Sequence, residues 1–203
     1  MPMPTIKEVK ASVCAFFQVL FGKEPAPEAS VDEIMNRIRG KQLPNVKRDI
    51  LSMPFVIGNK KGFIYGGPYV HKPEGLFGVK MAVEIKKDCD VDIPTRDFSV
   101  PSVMDFKYGL LVGLLHLFKT GELYVGCMGG IGRTGLYMAG VAKVMEAFGD
   151  LPIMAADSKN TPACVLYVRE KYKSHAVETQ EQIDYINKLN VSDIVAALAP
   201  FKA

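Results

Sequence analysis

The sequence predicts an α/β fold with a central, mostly parallel sheet flanked by helices, and three observations carry that expectation. Short apolar runs at 55–57, 63–65, 79–85 and 123–126 read as strands separated by glycine-rich turns. Stretches with apolar residues at helical spacing occupy about 102–119, 134–148, 161–173, 179–189 and 191–198. A glycine-rich loop joins the last strand to the helix after it, the place where open α/β sheets put their ligands.

In chain order, Ile6, Val9, Val13, Phe16, Phe17 and Leu20 recur at helical spacing and predict an amphipathic helix over 5–21, stopped by Gly22. Pro25 to Pro27 forms a linker, and Ser30-Val-Asp-Glu33 opens a second helix that Gly40 ends. These make an N-terminal helical extension over 1–44, ahead of a core at about 45–190 in one domain of residues 1–203. Ser102-x-x-Asp105 is a capping box for the helix at 102–119, whose apolar stretch from Gly109 to Phe118 is too short to span a bilayer and reads as buried.

The most informative residues are 121–136, an apolar strand followed by Cys127-Met128-Gly129-Gly130-Ile131-Gly132-Arg133-Thr134. Glycines without a Cβ let successive N–H groups turn inward as a ring of donors for an oxyanion. A helix beginning at Thr134 and stopped by Gly149 adds its positive end, which favours bound anions and the thiolate, the nucleophilic form of cysteine. Arg133 offers a planar fork for two phosphoryl oxygens, and the Thr134 hydroxyl can donate to the sulfur. The residues therefore read as a phosphate cradle, Met128 to Arg133, with Cys127 as nucleophile at its floor.

Cys127, Gly130, Gly132, Arg133, Thr134 and Gly135 resemble the signature of the cysteine-dependent protein tyrosine phosphatase superfamily, which includes tyrosine-specific and dual-specificity members. The resemblance implies a phosphatase-like fold over about 45–190, with a cysteine that takes the phosphoryl group, an arginine that binds it, and an aspartate that protonates the leaving oxygen. Gly126 stands where the family usually has histidine. Asp97-Phe98-Ser99-Val100-Pro101 is similar to the family's mobile acid loop, with Thr95-Arg96 in place of Trp-Pro, so Asp97 is the expected general acid; Asp92 is the reserve and Asp105 a weaker third. Glu178-Thr179-Gln180-Glu181-Gln182 looks like the family's Gln-Thr-x-x-Gln, which implies a water-placing role for Gln182. Thr179 also reads as a helix cap with Gln182 as its capping-box partner. Asn45-Val-Lys47-Arg-Asp49-Ile50 is similar to the substrate-recognition loop of tyrosine-specific members, with Lys47 at the stacking tyrosine's position.

The expected function is a phosphomonoester hydrolase working through phosphocysteine, most simply a protein tyrosine or dual-specificity phosphatase acting on a phosphorylated protein or peptide. The uncharged cradle residues Met128, Gly129 and Ile131 favour a phosphoprotein over polyanionic substrates. The alternatives are a phosphatase of phosphoinositides or RNA 5′ ends, and a catalytically idle phosphate-binding module.

Composition agrees: 203 residues, 48% hydrophobic and 23% charged, suit a globular domain, and a net charge of +3 without basic runs argues against nucleic acid as partner. Four widely spaced cysteines, no CxxC pair, no metal-ligand grouping with His71, His116 and His175, and no signal peptide at Met1 predict a cytoplasmic protein needing no cofactor or metal. Cys89 is a candidate redox partner for Cys127. The sequence carries no signal for oligomeric state.

Overall fold

The computed structural model describes residues 50–155, 157 and 160–202. The helices expected within 1–44 and the recognition loop with Asp49 lie outside the described residues.

Five strands, β1 (Leu51–Ile57), β2 (Lys60–Pro68), β3 (Gly78–Lys80), β4 (Val91–Asp92) and β5 (Glu122–Cys127), form one sheet in the order β1-β2-β5-β3-β4. Only the β1–β2 pair is antiparallel, so the α/β, mostly parallel expectation holds. In β1, Met53, Phe55 and Ile57 are buried in alternation, and Pro54 is tolerated because this strand is at the sheet's edge. The helices are α1 (Val103–Thr120), α2 (Gly132–Ala147), α3 (Ala163–Lys171), α4 (Gln180–Lys188) and α5 (Ser192–Leu198).

The helix caps follow the sequence closely. Ser102 Oγ accepts from the Asp105 N–H at 3.1 Å to start α1, and Gly121 ends it in the left-handed region at φ 78°. Thr179 Oγ1 accepts from the Gln182 N–H at 3.2 Å to start α4. Leu110, Leu114 and Leu117 of α1 and Leu136, Met138, Val141 and Met145 of α2 join Ile64, Val79, Leu123 and Val125 of the sheet in the core, each such side chain adding about 1.5–3 kcal/mol of apolar burial. Nearly all of α2 is buried, since it packs against β5, α1, α3, α4 and α5.

Three boundaries differ from expectation. The run 79–85 is not one strand: pairing stops at Lys80, and 83–84 turn, because the Met81 N–H donates to Gly126 O and the Val83 N–H to Thr95 O. The short β4, which apolar patterning did not reveal, pairs with β3 and ends at Asp92. Helix α2 begins at Gly132 rather than Thr134, so Gly132 and Arg133 belong to its first turn.

Candidate active site

Cys127 is the last residue of β5, the central strand, and sits opposite Pro68 at the end of β2. The loop 128–131 follows, and Ile131 caps α2 without a side-chain hydrogen bond. The N-cap side chain therefore leaves the amides of the first turn unclaimed, as an oxyanion site requires. Cys127 is buried, and the Thr134 hydroxyl donates to its Sγ at 3.2 Å.

Arg133 is only 2% exposed. Its Nη1 donates to Glu84 Oε2 and to Thr95 O, each at 2.9 Å; its Nη2 donates to Glu84 Oε1 at 2.7 Å and lies 2.8 Å from Asp97 Oδ1. Burial works against the guanidinium's charge, but the Glu84 hydrogen bonds and the nearby Cys127 and Asp97 outweigh it and raise the Arg133 pKa. The same Arg133 hydrogen bonds, opposed by partial burial, hold the Glu84 carboxyl below its ordinary value.

Glu84 is the site residue that sequence reasoning missed. A strand over 79–85 gives Glu84 no distinct role. The available signal was an acidic residue alone in the otherwise apolar run Met81-Ala82-Val83-Glu84-Ile85.

Of the three aspartates considered as acid, the fold brings Asp97 to the arginine. Asp92 pairs with Lys80 at 3.0 Å on the sheet, and Asp105 accepts from Ser102 Oγ at 2.6 Å at the start of α1. Asp97 is 61% exposed, and the following Phe98 has φ 57°, a strained conformation for a residue with a bulky side chain. The loop that carries Asp97 is pinned on both sides of that turn. Arg133 holds Thr95 O, and Gln182 Nε2 donates to Ser99 O at 3.2 Å.

Gln182 is fully buried, and its Oε1 accepts from the Glu178 N–H at 2.9 Å rather than from Thr179. The cap is therefore present, with its reciprocal bond shifted by one residue, and the same side chain reaches the acid loop. The Glu178 carboxylate packs against Gly132.

Gly126, where the resembled family has histidine, has a steric reason. A Cβ there would lie 2.7 Å from Gly67 O and 2.8 Å from Tyr69 Cα, so the backbone of 67–69 occupies the side chain's space.

Cys89 precedes β4, half-buried, and burial and then Asp92 push its thiol pKa up. The register puts Val91, Val79 and Val125 in one row, with Cys89 two residues before it and Cys127 two residues after it. A bond between the two sulfurs would require backbone movement, since disulfides need Cα atoms within about 7 Å. His116 is a core histidine, stacked on Phe77 with ring centres 4.1 Å apart. Among the described residues, no cluster of His, Cys, Asp and Glu could hold a metal ion, and no helix is long and apolar enough to cross a membrane.

No family model matches the chain. It is similar to two uncharacterized proteins of Methanocaldococcus jannaschii: one is 34% identical over 96 residues, covering 46% of this chain and 50% of the relative. The other is 31% identical over 96 residues, covering 46% of this chain and 54% of the relative. The matches thus span about half the length of these curated relatives. Among solved structures the chain is similar to Tk-PTP, a protein tyrosine phosphatase, in its active form, at 25% identity and a TM-score of 0.42 over 56% of this chain and 78% of that one. A glycine-to-alanine mutant form of Tk-PTP aligns at 21% identity and a TM-score of 0.46, over 68% of this chain and 93% of that one.

Proposed function

We propose that the protein is a cysteine-dependent phosphomonoester hydrolase of protein tyrosine phosphatase or dual-specificity type. The observation that carries this reading is the convergence on one uncapped helix start of Cys127 Sγ, 3.2 Å from the Thr134 hydroxyl, and the buried Arg133 fork, 2.8 Å from Asp97. In the first step the bound phosphoryl group displaces Asp97 from Arg133, the Cys127 sulfur attacks phosphorus in line, the bond from phosphorus to the leaving oxygen breaks, and Asp97, freed of the guanidinium and protonated, gives that oxygen its proton. The amides of Met128 to Arg133 hold the equatorial oxygens as charge develops, joined by Arg133 Nη2 once the phosphoryl group takes the place of Asp97 there, while Glu84 and Thr95 O keep the guanidinium in position. In the second step a water attacks phosphorus, the sulfur leaves, and Asp97 takes the water's proton. Gln182, tied to the acid-loop carbonyl of Ser99, helps place that water.

The substrate in this reading is a phosphorylated protein or peptide. Phe98 and Met128 are exposed beside the cradle and supply apolar surface that an aryl leaving group can use. The experiment is hydrolysis of a small aryl phosphate by the wild type, Cys127→Ser and Asp97→Ala, with and without a chelator. Cys127→Ser should abolish turnover, and Asp97→Ala should slow poor leaving groups by about 10²–10⁴-fold while substrate affinity is kept. Full turnover by Cys127→Ser, or loss of wild-type turnover on chelation, refutes the proposal.

A further inference from the structure

The Gly130 carbonyl carries two donors from outside the cradle. The Tyr172 hydroxyl donates to it at 2.6 Å from a buried position, and Lys173 Nζ donates at 2.9 Å. Tyr172 is the residue that ends α3, so both donors are delivered from the terminus of a packed helix. Burial, and then the neighbouring Tyr124 and Cys127, push the tyrosine pKa far up, keeping the hydroxyl a donor.

The geometry of one peptide unit gives this arrangement a purpose. In a trans peptide the C=O and the following N–H point in opposite directions. With the Gly130 oxygen held by Tyr172 and Lys173, the Ile131 N–H points the other way, away from those two side chains. The ammonium also polarises the amide, which strengthens that N–H as a donor. Gly130 itself is at φ 65°, and a Cβ there would lie 2.2 Å from the Gly67 carbonyl carbon, so this unit is seated against β2 on its other side.

We infer that Tyr172 and Lys173 are positioning residues that fix the 130–131 peptide with its N–H facing the bound oxyanion. The inference rests on the phosphatase reading of the same loop and names side chains that its motif does not contain. Neither residue touches substrate; both act through the peptide.

Tungstate affinity, measured calorimetrically on the full chain, tests this with Lys173→Met, Lys173→Arg and Tyr172→Phe, each checked by its thermal midpoint. Lys173→Met should weaken tungstate binding roughly tenfold, the scale of one charge-assisted hydrogen bond, while its midpoint stays close to wild type. Lys173→Arg, which can still donate, should restore binding to within about threefold. If Tyr172→Phe proves unstable, the two lysine variants decide the matter alone. Wild type binding tungstate with Lys173→Met binding it equally overturns the inference and leaves the phosphatase reading standing. A wild type that binds no oxyanion overturns both.

Discussion

Replacing Gly126 with alanine forces a Cβ to within 2.7 Å of Gly67 O, 2.8 Å of Tyr69 Cα and 2.9 Å of Tyr69 N. All three are backbone atoms, so no rotamer change relieves the contact. Ordinary contact begins near 3.4 Å, and the shortfall against 2.7–2.9 Å is about 0.5–0.7 Å. Gly126 is laddered on both sides, to Gly67 of β2 and to Lys80 of β3, so the strand cannot move away from one neighbour without pressing on the other. Overpacking of this kind costs about 1–3 kcal/mol, and a rigid backbone on one side puts the expectation in the upper half of that range. For a chain of this size each kcal/mol lowers the melting temperature by about 2–4 °C, so the drop should be about 4–12 °C. Gly126→His, which restores the residue of the resembled family, should be worse, because the ring must also find room beside Tyr69. Thermal unfolding followed by far-ultraviolet circular dichroism, with aryl phosphate turnover alongside, measures both. A Gly126→Ala protein melting within about 1 °C of wild type with full turnover refutes the steric argument.

Two further predictions concern acid. Burial, partly countered by the nearby Asp90, lowers the His116 pKa from 6.5 to about 4. Between those values the unfolded chain binds a proton that the folded chain refuses, so stability falls as pH drops from 6.5 to 4, by about 3 kcal/mol in all. Denaturant midpoints of His116→Gln across that interval should be nearly flat, and a slope equal to wild type refutes the assignment. Glu84, lowered by its hydrogen bonds to Arg133, contributes stability that is complete above 4.5 and is lost as pH falls further. Glu84→Gln should remove that lower limb and raise KM roughly tenfold by loosening the arginine fork, as steady-state kinetics at neutral pH can check. An unchanged KM would mean that Asp97 and Thr95 O suffice to hold Arg133.

The parts of the site legible in the sequence are those assembled by neighbours in the chain. Cys127 to Thr134 is one strand, one turn and one helix start, so residue type and spacing determine its geometry. Asp97 was legible through its own short motif, although the hold on its loop was not: Thr95 contributes a carbonyl and Ser99 another, and carbonyls leave no mark on residue identity. Glu84 was hidden because its partner is 49 residues away and because β3 stops at Lys80 for reasons of pairing, not composition. Tyr172 and Lys173 escaped notice in the same way, since their acceptor is the backbone of Gly130. The two-residue β4 was too short for any periodicity to register.

Lys107 on α1 is 8% exposed and its ammonium meets both oxygens of Asp193 on α5, at 3.0 and 2.8 Å. The segment after residue 190 is therefore fastened to the same helix that packs against β5, with Ile194 and Leu198 buried alongside. A fragment trimmed to the stretch that resembles known phosphatases would lose this ion pair and would uncover the apolar surface of α1 and α2 on which Ile194 and Leu198 pack. Expression boundaries for this protein belong beyond its last helix, not at the edge of its motifs.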